Sequence, residues 1–171
     1  MAITLLRHTT PDVDEGLCYG QLDIPLAASF DHEARRLLKT LSRPDCIMTS
    51  RLSRCRRLAE RIAQRFNCDL EVSPAFMEMD FGRWEGRRWA EIPRDQLDAW
   101  ANDFFTARPH AGESVSMVHE RVTRALKKLE ERPGQTLIVT HAGVIKCALA
   151  NGQTPNNFGH SVPYGHGVSL V

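Results

Sequence analysis

Short apolar runs alternate with segments of helical period along almost the whole chain, and no other feature restricts the fold as much. Ala2-Ile3-Thr4-Leu5-Leu6, Asp45–Thr49, Asp69–Val72, Gln135–Thr140 and Gly167–Val171 read as strands. Between the first two, Phe30, Ala34, Leu37, Leu38 and Leu41 recur at helical spacing, with Ser29 as the expected cap. A second helix is predicted from Leu52 to Phe66, with Leu58, Ile62 and Phe66 on one face. Arg94–Phe105 carries a weaker helical pattern. Ser114–Glu131 carries the longest, with Val115, Val118, Val122, Ala125, Leu126 and Leu129 on one stripe and Ser114 as cap. A last helix is predicted from Gly143 to Ala150. Thr9–Leu26, Ala75–Pro93 and Gly152–Gly165 hold the glycines and prolines of loops. Parallel strands need long crossovers, usually helical. The alternation therefore predicts an α/β three-layer sandwich, a mostly parallel central sheet with helices on both faces. The final strand is free to run the other way. No repeat, low-complexity stretch or linker interrupts the 171 residues, so residues 1–171 read as a single domain.

Several function classes drop out early. No apolar run approaches the roughly 20 residues that span a bilayer. Ala2–Leu6 is too short for a secretion signal, and Arg7 interrupts it. A cytoplasmic address with no membrane partner is expected. A net charge of +1 gives no reason to expect nucleic acid. The five cysteines are odd in number and contain no C-x-x-C. That argues for free, mostly buried thiols rather than a disulfide framework or zinc module.

Two strands end on histidine. The first segment is Leu5-Leu6-Arg7-His8-Thr9-Thr10-Pro11, and the other is Leu137-Ile138-Val139-Thr140-His141-Ala142-Gly143. In open α/β sheets, ligands bind outside the carboxyl ends of strands. Two imidazoles there, one beside an arginine and one before a helix N-terminus, suit an anionic phosphoryl group. A neutral His8 could attack phosphorus through one nitrogen if a backbone acceptor pins the other. Taken alone, either histidine could equally be a surface or capping residue.

Two further segments add to this pair. Thr49-Ser50-Arg51-Leu52-Ser53-Arg54-Cys55-Arg56-Arg57 crowds cations at a helix start, where they are disfavoured unless an anion is present. Arg56 and Arg57 read as a solvated face, and either Arg51 or Arg54 could reach inward. Met77-Glu78-Met79-Asp80-Phe81-Gly82-Arg83-Trp84-Glu85-Gly86 offers three carboxylates, one of which could act as general acid. Spacing does not choose among Glu78, Asp80 and Glu85.

Together these segments resemble the histidine phosphatase superfamily, also called phosphoglycerate mutase-like. Its Arg-His-Gly triplet is matched by Arg7-His8-Thr9, and its Ser-x-Leu-x-Arg-Ala element by Ser50-Arg51-Leu52-Ser53-Arg54-Cys55. Its Glu-x-x-Phe-Gly-x-Trp-Glu-Gly element is matched by Glu78–Gly86, its Val-x-His-Ala/Gly-Gly element by Val139–Gly143, and a Gly-Glu-Ser triplet by Gly112-Glu113-Ser114. Gly16-Leu17-Cys18-Tyr19-Gly20-Gln21-Leu22-Asp23-Ile24-Pro25-Leu26 is most similar to the alpha-ribazole phosphatase branch, which acts in cobalamin assembly. The resemblance implies a phosphoglycerate mutase-like fold and a metal-independent phosphomonoesterase with no cofactor. Its partner would be a small-molecule phosphomonoester, and oligomeric state is left open. His8 would be the nucleophile, Glu78 the proton donor and His141 the third catalytic residue. Arg7, Arg54, Thr9 and Ser114 would bind the phosphate. Two departures stand out. Thr9 replaces the usual glycine, and the chain ends almost at its last strand, so no long C-terminal lid is expected.

Three other readings compete. A phosphomutase would need a long-lived phosphoenzyme shielded from water, and no Glu-Ser-x-x-Asn segment follows His8. A silent phospholigand-binding module would keep the site without turnover. A metallohydrolase would need ligand partners that His110 and His119 lack in the sequence.

Overall fold

The strands pair side by side in the order Asp69–Val72, Cys46–Thr49, Gln135–Thr140, Ala2–Arg7 and Gly167–Leu170. The computed structural model describes residues 2–170; Met1, and Val171 at the end of the expected last strand, lie outside the described residues. Strands β1 (Ala2–Arg7), β2 (Cys46–Thr49), β3 (Asp69–Val72) and β4 (Gln135–Thr140) are parallel. Strand β5 (Gly167–Leu170) runs antiparallel beside β1.

Side-chain alternation along the strands sets the layers. Leu6, Ile47, Leu137 and Val139 face one way and pack with Leu58, Ile62 and Ala34. Those three come from α1 (Phe30–Thr40) and α2 (Ser53–Phe66). Ile3, Leu5, Met48 and Ile138 face the other way, onto Val118, Val122 and Ile145. These belong to α4 (Val115–Leu129) and α5 (Ala142–Leu149). The result is the expected three-layer sandwich.

The element limits moved slightly, for local reasons. Helix α3 covers only Arg94–Asn102, three residues short of the expected Phe105. Helix α2 stops where Asn67 adopts φ 50°, a left-handed C-cap. Ser29 precedes α1 without capping it, because its hydroxyl donates to Glu33 Oε1 at 2.6 Å instead. Ser114 does cap α4, its oxygen accepting from the Met117 N–H at 3.2 Å.

The strand order brings three chain-distant positions side by side. Arg7 is in register with Thr140, and Thr49 with Val139. The ladder runs one step further on each side: the His8 N–H donates to the Thr140 carbonyl at 3.0 Å, and the Ser50 N–H to the Val139 carbonyl at 3.2 Å. His8, Ser50 and His141 thus leave the sheet at one level, where β4 sits between β1 and β2.

Candidate active site

His8 and His141 sit with ring centroids 5.2 Å apart, in an edge-on arrangement. The strand ends leave both rings almost without solvent, His8 being 2% exposed and His141 0%. His8 Nδ1 lies 2.7 Å from the Thr9 carbonyl oxygen. A carbonyl only accepts, so Nδ1 carries the proton and Nε2 holds a lone pair. Burial, then the Arg54 charge, then the Arg7 charge, push the His8 pKa from 6.5 to about 3, against the opposing Thr9 bond. His141 is held well below its ordinary value, first by burial and then by His8 and the arginines. Its Nε2 meets Ser50 Oγ at 2.9 Å, and Cys55 Sγ is 3.3 Å from the same atom. Burial raises the Cys55 thiol far above its usual range, so it is a neutral neighbour.

Of the two candidate arginines, Arg54 in the first turn of α2 is fully buried, and Arg51, just before that helix, is exposed. The loop before α1 fixes Arg54, which donates from Nη1 to the Leu22 carbonyl at 2.9 Å and from Nη2 to the Gly20 carbonyl at 2.5 Å. Asp23 of the same loop accepts at 2.9 Å from the N–H of Ser53, the first residue of α2. Gly20 is needed there, since a Cβ would lie 1.8 Å from the Met79 carbonyl oxygen. Arg7 donates to the Val162 carbonyl at 2.6 Å, and its Cζ lies 3.7 Å from the centre of the Tyr164 ring. Tyr164 and Tyr19 share a 2.9 Å hydrogen bond, and the Tyr19 ring centre is 5.3 Å from Arg54 Cζ. The tyrosine pair therefore links the two cations.

Neither Arg7 nor Arg54 has a carboxylate within ion-pair distance among the described residues. Their Nε atoms are buried with no hydrogen-bond partner, and so is Thr9 Oγ1. Buried donors and charges are normally satisfied. This unpaired set, with both arginine charges acting on His8, has donors free for an anion with several oxygens. Thr9 also fits its backbone, because Asn67 and Ala111 are the only described non-glycine residues with positive φ. Glycine is not required after His8.

The three carboxylates separate cleanly. Asp80 Oδ1 accepts from the Gly82 N–H at 2.7 Å, and Glu85 accepts from the backbones of Phe81, Gln21 and Leu22. Both are occupied in shaping loops. Glu78 is held by backbone as well, Oε1 accepting from the Met79 N–H at 3.0 Å, but its Oε2 accepts at 3.1 Å from the Gly143 N–H, in the first turn of the helix that begins after His141. A Cβ on Gly143 would come within 2.2 Å of Glu78 Oε1, so glycine lets the carboxylate approach. Arg121 braces the Glu78 loop by donating to the Glu78 and Ala75 carbonyls, and Glu113 holds Arg121 at 2.8 and 2.9 Å.

The Ser114 oxygen, expected at the phosphate, caps α4, and among the described residues no hydrogen bond joins it to the histidine pair. His110 lies elsewhere, its ring centre 4.7 Å from that of Trp84 and its Nδ1 accepting from the Gly112 N–H. Among the described residues no three His, Cys, Asp or Glu side chains are grouped as metal ligands. No helix there is long and apolar enough to cross a membrane. Cys18, Cys55 and Cys147 are buried free thiols, while Cys46 and Cys68 are half-buried. Sequence reasoning gave no role to Ser50, Tyr19, Tyr164 or Arg121. Ser50 alone carried a signal, since it too follows a strand end.

The two imidazoles make stability depend on pH. Below about pH 6.5 the unfolded chain binds protons that folded His8 and His141 refuse, so stability falls with acid. For His8 the loss runs from about 6.5 down to its folded value of about 3. Each such group costs about 1.4 kcal/mol per pH unit. Urea midpoints measured between pH 7 and 4 should fall steeply, and His8→Ala should flatten the slope. An equal slope in the variant would contradict the buried neutral imidazole.

The profile of the histidine phosphatase superfamily (branch 1) matches residues 3–167. The Adenosylcobalamin/alpha-ribazole phosphatase of Escherichia coli (strain K12) is 30% identical over 159 residues, covering 88% of this chain and 78% of that protein. A Cronobacter sakazakii protein named "Probable phosphoglycerate mutase GpmB" is 30% identical over 159 residues, covering 88% of this chain and 74% of its own length. The native structure of mycobacterial glucosyl-3-phosphoglycerate phosphatase superposes with a TM-score of 0.85 at 25% identity, covering 99% of this chain and 89% of that one.

Proposed function

The chain belongs to branch 1 of the histidine phosphatase superfamily, and from that premise we propose that it is a metal-independent phosphomonoesterase working through a phosphohistidine on His8. The observation that carries this reading is the unpaired Arg7, Arg54 and Thr9 donor set around a neutral imidazole whose Nδ1 is already tied to a carbonyl.

The steps follow from the side chains. The phosphoryl oxygens accept from Arg7, Arg54, Thr9 and one N–H of His141, which offset the charge. His8 Nε2 attacks phosphorus in line as the ester bond breaks. Glu78 gives a proton to the departing alcohol. Water then attacks the phosphohistidine, returning a proton to Glu78 and freeing His8 and inorganic phosphate. We assign these steps to one domain with a cytoplasmic address. Alpha-ribazole 5'-phosphate is the first substrate to try, since a phosphatase of that name is 30% identical. The mutase-named relative makes transfer to a second alcohol the rival outcome.

Rapid quenching during turnover should reveal a phosphoryl group on His8 by peptide mass spectrometry. Absence of that adduct at every time point, with turnover intact, would reject the mechanism. Glu78→Gln should divide substrates by leaving group. Loss should be about 10²- to 10⁴-fold for alkyl phosphates, whose alkoxide needs a proton. It should be far smaller for 4-nitrophenyl phosphate. Equal losses for both esters would remove Glu78 from the donor role.

A further inference from the structure

Beside Glu78 lies a half-open cavity of about 330 Å³ between α3, α4 and α5. Glu78 and Gly143 belong to its wall as well as to the site. The other lining groups are mainly apolar, with Phe81, Trp100, Phe104 and Phe158 supplying four aromatic rings. Such a volume is within the range of small-molecule pockets.

We propose that this cavity receives the alcohol part of the substrate, and that this alcohol carries an aromatic ring. The inference rests on the phosphatase reading and deepens it. In-line displacement puts the leaving oxygen on the far side of phosphorus from His8. A proton donor must lie within hydrogen-bond reach of that oxygen. With Glu78 as donor, the body of the alcohol extends past Glu78, and the cavity that Glu78 lines is the space it enters.

The walls select the chemistry. Aromatic side chains favour edge-on or offset contact with a further ring. A polyol there would bury several hydroxyls against carbon. One polar group refines the choice. Lys146 also lines the cavity and has no carboxylate partner among the described residues, so its ammonium can meet the face of a bound ring.

Two paired measurements test this. The first compares binding of 3-phenylpropylphosphonate with methylphosphonate, which needs no catalysis. The second compares kcat/KM for 2-phenylethyl phosphate with ethyl phosphate, whose leaving alcohols are similar in acidity. In each pair the phenyl compound should win by roughly ten- to a hundredfold. Phe104→Ala and Trp100→Leu should each cut that ratio several-fold. A ratio is read within one protein, so partial loss of folded material lowers both members alike. A wild-type ratio near one, or a ratio that neither variant changes, would overturn the assignment of the cavity. Phenyl selectivity in phosphonate binding without turnover of any ester would leave the cavity standing and remove the phosphatase reading. Turnover without phenyl selectivity would do the reverse.

Discussion

His8→Ala should lower phosphomonoester turnover by about 10³-fold or more, the scale of losing a covalent nucleophile. The expectation follows because His8 keeps one ring nitrogen free while the Arg54 and Arg7 charges act on it. Its Nδ1 is tied to the Thr9 carbonyl at 2.7 Å, and the ring is kept neutral by burial and by Arg54 and Arg7. Arg7, Arg54 and His141 remain in the variant, so inorganic phosphate should still bind within about tenfold of wild type. The two measurements separate a missing nucleophile from a collapsed site. Turnover above a few per cent of wild type would reject His8 as the attacking group. Loss of phosphate binding as well would point to a structural role.

Arg54→Met should have the second largest effect, this time on binding. Arg54 is fully buried, has no carboxylate partner among the described residues, and spends only two of its five N–H groups there, on the Gly20 and Leu22 carbonyls. The remaining donors, including the unpaired Nε, are what a phosphoryl dianion would meet. Truncating one side of a buried charge pair costs about 2–5 kcal/mol, or roughly 30- to 5,000-fold in affinity. Arg54→Met should lose that much in kcat/KM. It should also lose the stabilisation that saturating phosphate gives the wild type, about 2.7 kcal/mol at a hundred times Kd. A melting shift with phosphate as large as that of the wild type would exclude Arg54 from the anion site. Lysine should rescue poorly, because one ammonium cannot hold both loop carbonyls and also present a planar fork.

The two results weigh different parts of one arrangement. The His8 ring supplies a bond, and Arg54 supplies charge and the shape of the loop that covers it. Gly20 and Gly143 make both possible by letting backbone and carboxylate approach where a methyl group would collide. Arg121, itself held by Glu113, acts behind Glu78, since it holds the carbonyls of that loop rather than the carboxylate.

What the sequence determined by itself is the set of elements and the strand-end histidines. Apolar runs and the 3.6-residue period are local properties, so β1 to β4 and the stripe on α4 could be read directly. The position of His8 and His141 at strand ends follows from the same local pattern. The tertiary structure alone decided the strand order, which puts β4 between β1 and β2 and so brings residues 8, 50 and 141 together. It alone separated Glu78 from Asp80 and Glu85. All three share one loop and one chemistry, and they differ only in which backbone N–H groups from distant segments they accept. It assigned Ser114 to a helix cap and brought in Tyr164 and the Val162 carbonyl from the last connection. Contacts of that kind are set when loops remote in the chain pack against one another, and periodicity within a segment carries no trace of them.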